Sequence, residues 1–319
     1  MATDRNDDLK GPITANSFSG MASFFRRHSG TDYAAADVVV YGLPYDLGVS
    51  NRPGSRFGPR AIREASLQLA WGTVWPWGFD PFERLAVLDA GDVEFTYADQ
   101  EAFRRKARQQ ARSVAEAGAI PFSLGGDHSV TLESLTGLTA VTGPLALVHF
   151  DAHTDTSEGP EVQHGTMFRH ASRSGMLVAE QSIQIGIRTH YEADDAFLRL
   201  HAPEAARQDP AQIARTISER VGELPCYLTF DIDCLDPSFA PGTGTPVPGG
   251  LSTLRVLEII REMGSCFPAK GQRIVGLDIV EVAPCYDHAQ VTSLAAVQIA
   301  QELLCLLSCL SPDANDSGS

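Results

Sequence analysis

Four short segments of the chain carry carboxylates and imidazoles, which are side chains that bind metal ions and move protons. The segments are Gly-Gly-Asp-His-Ser at residues 125–129, Asp-Ala-His-Thr-Asp at 151–155, Asp-Ile-Asp-Cys-Leu-Asp at 231–236, and the single Glu281. Each follows an apolar run of residues, and none of them contains a lysine or an arginine. Because burying several unpaired carboxylates costs several kcal/mol each, we expect bound cations to supply the missing charge.

The number of carboxylates predicts two divalent ions. Four aspartates carry four negative charges, and two histidines complete a set of six side chains suited to a two-metal site: His128, Asp151, His153, Asp155, Asp231 and Asp233. A donor set of mostly oxygen with two imidazoles favours manganese over zinc. Alternation along extended backbone predicts that residues 151, 153 and 155 point one way, as do 231 and 233, with Cys234 turned away.

The elements that position these segments follow from the alternation of short apolar runs with longer helical patterns. Strands are predicted over residues 37–41, 85–88, 120–124, 145–150, 183–187, 226–230 and 274–280, and helices over 58–70, 100–117, 210–221, 253–263 and 293–307. Strands that are apolar on both faces and separated by helices predict a single three-layer α/β/α domain with a mainly parallel sheet. Ligands bind beyond the carboxyl ends of such strands, where all four segments begin.

Composition narrows the class of protein further. The 319-residue chain has a net charge of −15, which argues against a nucleic-acid partner and suits a small cationic substrate. It has no signal-like start and no apolar run of about 20 residues, so we expect a cytoplasmic protein without a membrane span. The six cysteines form no CxxC pair and are expected to be unpaired. We predict a flexible segment over residues 1–16, a domain over 17–310 and a disordered tail over 311–319.

The same motifs resemble those of the ureohydrolase family of arginases, agmatinases and guanidinobutyrases. They occur in the family's order: GSRFGPRAIRE (54–64), GGDHS (125–129), HFDAHTDT (149–156), QHGTMF (163–168), FDIDCLDPSFAPGTGTPVPGG (230–250) and IVEVAPCYD (279–287). The resemblance extends from about Phe18 to Leu307 and implies an arginase-like fold. It also implies a homo-oligomer, either a trimer or a hexamer.

The resemblance implies a role for each site residue. One manganese ion would be bound by His128, Asp151, Asp155 and Asp231, and the other by His153, Asp151, Asp231 and Asp233. His164 would transfer protons near the metals, and Glu281 would pair with the substrate guanidinium. The sequence is most similar to the bacterial agmatinases, and Glu158, where arginases differ, would tolerate a free amine at the substrate tail. Glu158 is equally compatible with a solvated loop position.

These roles imply the hydrolysis of agmatine to putrescine and urea. A hydroxide bridging the two metals would attack the guanidinium carbon held by Glu281, Asp155 would accept a proton, and His164 would protonate the departing amine. Three alternatives stay open. They are the same chemistry on 4-guanidinobutyrate, guanidinopropionate, guanidine or arginine; a mononuclear zinc deacetylase-like amidohydrolase; and an inactive regulatory paralogue. A mononuclear site has no need of His128, Asp155 or the paired Asp231 and Asp233.

Overall fold

An eight-stranded, entirely parallel sheet forms the centre of the protein in a computed structural model that describes residues 9–11, 16–70, 72–192 and 194–310. The strands are β1 (Val38–Leu43), β2 (Val87–Asp92), β3 (Ile120–Gly125), β4 (Ala146–Phe150), β5 (Ile183–Ile187), β6 (Leu198–His201), β7 (Cys226–Asp231) and β8 (Ile274–Val280). Their order in the sheet is β2-β1-β3-β8-β7-β4-β5-β6. The predicted parallel α/β fold is therefore confirmed, whereas most of the predicted flexible ends, 1–16 and 311–319, lies outside the described residues.

Helices cover both faces of this sheet. They are α1 (Gly58–Ser66), α2 (Pro81–Arg84), α3 (Gln100–Glu116), α4 (Val130–Thr142), α5 (Met167–Arg173), α6 (Ala202–Ala205), α7 (Pro210–Val221), α8 (Thr253–Cys266) and α9 (Val291–Leu310). Alternate residues of β1 pack against the helices on opposite faces of the sheet. Val38 and Val40 pack into the core under α1, α7, α8 and α9, while Val39 and Tyr41 pack into the core under α3.

The four segments that carry the candidate site residues follow strands that are direct neighbours in the sheet. In the order β3-β8-β7-β4, the residues Leu124, Ile279, Phe230 and Phe150 lie at one level across the strands. The first acidic residue follows this level by one to three positions in each segment: Asp127, Glu281, Asp231 and Asp151. Strand order and register thus bring all four segments to one edge of the sheet.

Strand β6 and helices α2, α4, α5 and α6 lie outside the predicted elements. Strand β6 is a four-residue edge strand in which Leu198 is exposed, so its sequence lacks the fully apolar pattern of the inner strands. Helix α4 contains glycine and several β-branched residues, which have low helix propensity. Gly137 lets α4 approach α3, since a Cβ there would lie 2.2 Å from the carbonyl oxygen of Arg108. Packing against α3 stabilises a helix that local preferences do not favour.

Helix α9 is the one helix of the described residues that is long and apolar enough to cross a membrane. However, 78% of its apolar window is buried inside the protein. It packs against α1 and α8 as part of the core. Asp287 caps the start of this helix by accepting hydrogen bonds from the backbone N–H groups of Thr292 and Ser293 at 2.8 and 3.0 Å.

Candidate metal centre

The six predicted metal ligands lie together beyond the carboxyl ends of β3, β4 and β7. Two groups of ligand atoms, each within 4.8 Å of one another, share Asp151: one contains His128, His149 and Asp155, and the other contains His153 and Asp233. The sixth predicted ligand, Asp231, has Oδ2 3.3 Å from Nδ1 of His128. The side chains of five of the six are nearly buried, and that of His153 is 28% exposed. The arrangement provides two adjacent sites with one shared carboxylate.

The backbone brings these residues together in a different way from the predicted extended alternation. Strand β4 ends at Phe150, and Asp155 adopts a left-handed conformation with φ of 53°. Residues Ile232–Cys234 form a 3-10 turn in which Oδ1 of Asp231 accepts a hydrogen bond from the N–H of Asp233 at 2.8 Å. The prediction of extended backbone was wrong here, because the chain must bend at the strand ends to converge on a compact site. Cys234 does point elsewhere, with its thiol 3.6 Å from the carbonyl oxygen of Ile185.

The surroundings of His128 show that a cation fits this site. Its Nε2 lies 2.8 Å from the hydroxyl of Thr229, and that hydroxyl donates to Asp278 at 2.5 Å. Since the single hydroxyl proton is directed to Asp278, Nε2 donates to the hydroxyl oxygen, and in the neutral ring Nδ1 presents a lone pair. This buried Nδ1 has no hydrogen-bond partner, yet carboxylate oxygens of Asp155, Asp151 and Asp231 lie 2.9, 3.1 and 3.3 Å away. Burial opposes protonation of His128, but these carboxylates outweigh it and raise the pKa of His128 well above its usual range, so a positive charge belongs between these atoms, and a bound cation would take the place of that proton.

His149 serves the site without being free to bind metal. Its Nδ1 accepts a hydrogen bond from the amide nitrogen of Gln184 at 3.0 Å, which leaves Nε2 as the donor to Oδ2 of Asp151 at 2.7 Å. Burial lowers the pKa of His149 and so favours this neutral form. Both ring nitrogens are used, and the ring orients the carboxylate that the two candidate metal sites share. The interpretation of His149 as a hydrogen-bonded core histidine agrees with these contacts.

The electrostatics of the carboxylates point to the same conclusion. Burial, followed by repulsion from neighbouring carboxylates, raises the pKa of Asp155 and Asp233 and raises that of Asp231 well above its usual range. Burial also opposes the ionisation of Asp151, but His149 and its other imidazole neighbours outweigh it and hold the pKa of Asp151 well below its usual range. Among the described residues, the ion-pair partners of these aspartates are all histidines. Divalent cations would let all four ionise.

Glu281 and His164 form a pair beside the metal ligands. Glu281 follows β8 with φ of 63°, and its Oε1 accepts hydrogen bonds from the backbone N–H of His128 at 2.9 Å and from Nδ1 of His164 at 3.0 Å. Burial opposes protonation of His164, but the Glu281 carboxylate outweighs it and raises the pKa of His164 to about 9. The other oxygen of Glu281, Oε2, is buried without a hydrogen-bond partner. Glu281 itself is not among the residues that line the cavity described below, and it lies behind His164, which is.

A cavity of about 280 Å³ opens over the cluster. Its lining includes three predicted ligands, two further imidazoles and several hydroxyl and amide side chains: His153, Asp155, Asp231, His164, His190, Ser50, Ser157, Gln163, Thr189 and Thr245. Among the twelve residues that line this cavity there is no lysine or arginine. With Asp155 and Asp231 in its lining, the cavity suits a small polar molecule with positive charge, and its protonated imidazole, His164, is already paired with Glu281.

The structure does not bring Glu158 into this cavity. Its carboxylate pairs with Arg173 at 2.5 Å and with Arg169 at 3.6 Å, and its side chain is 52% exposed.

The functional residues missed by sequence analysis include Thr229, Asp278 and Gln184. Each is a polar residue inside an otherwise apolar strand, and that isolation was the signal that could have identified them.

Comparisons with known proteins identify the family. The arginase family model matches residues 36–306. An agmatinase of Chromobacterium violaceum is 45% identical over 310 residues, covering 95% of this chain and 94% of that protein. An agmatinase of Neisseria meningitidis is 49% identical over 273 residues, covering 85% and 87%.

Solved structures agree with the sequence relatives. A crystal structure described as a hypothetical agmatinase from Burkholderia thailandensis has 42% identity and a TM-score of 0.90, covering 95% of this chain and 96% of that one. The proclavaminate amidino hydrolase of Streptomyces clavuligerus has 37% identity and a TM-score of 0.87, covering 93% and 100%.

The fold and the His/Asp cluster define an enzyme of the metal-dependent ureohydrolase class, and the chain belongs to the arginase family. Within that family it is of the agmatinase type, as the sequence motifs predicted.

Proposed function

We propose that this protein is a binuclear manganese hydrolase that converts agmatine to putrescine and urea. The observation that carries the proposal is the pair of ligand clusters sharing Asp151, set directly beside a buried, unpaired oxygen of Glu281. The metal clusters suit hydrolysis, and the free carboxylate oxygen suits a guanidinium group. The agmatinases among the relatives support agmatine as the guanidinium compound.

The residues that would hold the two ions are those the family resemblance implies. His128, Asp151, Asp155 and Asp231 would hold one, and His153, Asp151, Asp231 and Asp233 the other. The oxygen-rich donor set with two imidazoles supports manganese. When bound, the ions supply Lewis acidity that makes water a competent nucleophile near neutral pH.

The chain's own groups do the remaining work. Oε2 of Glu281 accepts N–H bonds from the guanidinium and holds its carbon over the cluster. Asp155 lines the cavity and accepts the proton lost by the attacking water. His164 also lines the cavity, and its raised pKa keeps it protonated near neutral pH, so that it can protonate the departing amine.

The cavity lining favours a cationic tail on the substrate. Its twelve residues include hydroxyl and amide groups but no lysine or arginine, and the protonated His164 is already paired with Glu281, so the carboxylate of arginine or 4-guanidinobutyrate would find no guanidinium or ammonium partner there. Hydrolysis of another guanidino compound is the second candidate. It is supported by the similarity to the proclavaminate amidino hydrolase, whose name indicates a different amidino substrate.

The deciding experiment is urea release by the purified, Mn²⁺-loaded protein from agmatine, arginine, 4-guanidinobutyrate and guanidine. We expect the highest kcat/KM for agmatine and two metal ions per chain by elemental analysis. A preference for another compound would reject agmatine, and no urea from any of them would reject the proposed activity. Restoration of a chelated sample by Zn²⁺ but not by Mn²⁺ would reject the metal.

Assembly and location are part of the proposal through the family resemblance alone. We propose a cytoplasmic homo-oligomer, either a trimer or a hexamer. Light scattering on the eluting protein would measure its mass directly, and a mass of one chain, 34.3 kDa, would contradict this assembly.

A further inference from the structure

Ser50, in the loop after β1, contacts the ring of His164 from the side opposite Glu281. Its backbone N–H lies 3.0 Å from Nε2 of His164, and its hydroxyl oxygen lies 2.7 Å from the same atom. We infer that Ser50 is a positioning residue that holds the His164 ring in one orientation both before and after it gives up its proton. The inference rests on the proposed function, in which His164 protonates the departing amine.

The backbone N–H and the hydroxyl of Ser50 can bind different protonation states of the His164 ring. A backbone N–H can only donate, so it binds the lone pair of Nε2 in the neutral ring and leaves the remaining proton on Nδ1, 3.0 Å from Oε1 of Glu281. A hydroxyl can donate or accept, so when Nε2 is protonated the Ser50 oxygen accepts that hydrogen bond. The Ser50 hydroxyl therefore gives Nε2 a partner in both states, whereas the backbone N–H suits only the neutral ring.

The loop that carries Ser50 is attached to His164 at a second point. The carbonyl oxygen of Gly48 accepts a hydrogen bond from the backbone N–H of His164 at 3.2 Å, and the N–H of Gly48 donates to Asp127 at 2.7 Å. A Cβ at Gly48 would lie 2.8 Å from the Ser129 hydroxyl, so glycine allows this close approach. Backbone and ring of His164 are thus both held by residues 48–50, and the distance from Ser50 to Nε2 is well defined.

The charged groups around His164 explain why the acceptor is needed. Glu281 on the β8 side, Asp155 after β4 and Asp127 after β3 all favour the imidazolium form. Glu281 partners only Nδ1, so the imidazolium proton on Nε2 depends on the Ser50 hydroxyl. Ser50 is exposed and lines the cavity, which leaves this end of the ring accessible to a bound amine.

The test compares Ser50→Ala with Ser50→Thr in the Mn²⁺-loaded protein. The alanine variant keeps the N–H but loses the acceptor for the charged ring, so we expect kcat for agmatine to fall about tenfold while KM changes less than about twofold. The high-pH limb of the kcat profile should move to lower pH, because the imidazolium loses stabilisation. The threonine variant retains a hydroxyl and should recover most of kcat and the original limb.

Ser157→Ala is the matched control for the pH profile. Ser157 lines the same cavity, but its contact with this region is a backbone N–H to the carbonyl oxygen of Gly165 at 2.9 Å. Its replacement should leave the high-pH limb where it is. An unchanged profile and kcat in Ser50→Ala would overturn the inference. So would equal losses in the alanine and threonine variants, since these would indicate a structural effect of the loop.

A second measurement does not depend on turnover. NMR titration of the His164 ring nitrogens in the Mg²⁺-loaded, diamagnetic protein should show a lower pKa in Ser50→Ala than in the unmodified and Ser50→Thr proteins. An unchanged pKa would overturn the inference even if the enzyme releases urea. If no guanidino compound is hydrolysed, the proposed function fails, and this titration still decides whether Ser50 stabilises the charged ring.

Discussion

Nδ1 of His164 donates a hydrogen bond to Oε1 of Glu281 at 3.0 Å, and this leaves Oε2 of Glu281 buried with no partner. A buried acceptor without a donor costs about 1–3 kcal/mol. A donor supplied by a ligand or by a water molecule would remove that cost. Under the proposed function, the donor is an N–H of the substrate guanidinium.

Glu281→Gln should weaken substrate binding and keep the metals. The amide has nearly the shape of the carboxylate but lacks its charge, so the loss of a charge-assisted hydrogen bond should lower kcat/KM for agmatine about 10- to 100-fold. Steady-state kinetics measure this, and elemental analysis should still find two ions per chain. Unchanged kcat/KM would show that Glu281 does not contact the guanidinium.

Asp233→Ala should lose metal and nearly all activity. The Asp233 carboxylate is almost fully buried and lies 3.2 Å from Nδ1 of His153, so its removal takes one charge from the site. Asp236→Ala is the matched control in the same segment, because Asp236 caps a loop by accepting from the N–H groups of Ser238 and Gly249. Elemental analysis after dialysis should find two ions in the control and fewer in Asp233→Ala, and equal contents would contradict the ligand role.

Thr229→Val should weaken metal binding although Thr229 is not a ligand. The substitution removes the two hydrogen bonds that link His128 through the Thr229 hydroxyl to Asp278. The His128 ring then loses the contact that directs Nδ1 to the site. Loss of such a supporting contact typically lowers metal affinity about 10- to 100-fold.

Thr131→Val provides the comparison for Thr229→Val. It also removes one hydrogen bond to Asp278, at 2.7 Å, but leaves the contact with His128 intact. Calorimetric titration with Mn²⁺ should separate the two variants, while thermal unfolding should show similar destabilisation. Equal metal affinities would mean that the orientation of His128 does not depend on Thr229.

The stability gained from metal should increase with pH. Burial raises the pKa of Asp155, Asp231 and Asp233 in the metal-free protein, so the folded state binds protons that the unfolded chain releases. Stability from these groups is complete below the unfolded pKa of about 4 and is lost as pH rises through the folded values. Bound cations replace those protons and bind more strongly as pH rises.

Thermal unfolding with saturating Mn²⁺ and with EDTA, at several pH values between about 5 and 8, measures this effect. The difference in Tm between the two samples should widen as pH increases. A constant or narrowing difference would show that the carboxylates do not carry excess protons in the metal-free fold.

The sequence by itself predicted the candidate metal ligands and determined the edge of the sheet at which they lie. The apolar runs before Asp151 and Asp231 predicted parallel strands, and the carboxyl ends of parallel strands meet at one edge. Those inferences succeeded because strand formation and strand direction depend on patterns that are local in the chain. The prediction of extended backbone through Asp155 failed, because the left-handed turn at that residue is stabilised by the surrounding site.

Only the tertiary structure decided how the ligands are oriented and what surrounds them. Thr229 lies two residues before Asp231 in sequence, but its role depends on His128, 101 residues earlier, and on Asp278, 49 residues later. Ser50 and His164 are 114 residues apart. Hydrogen bonds between such distant residues arise when strand order and helix packing bring their elements together, so no pattern within one segment encodes them. The sequence determined the chemical groups of this site, and the fold determined which of their atoms remain free for metal and substrate.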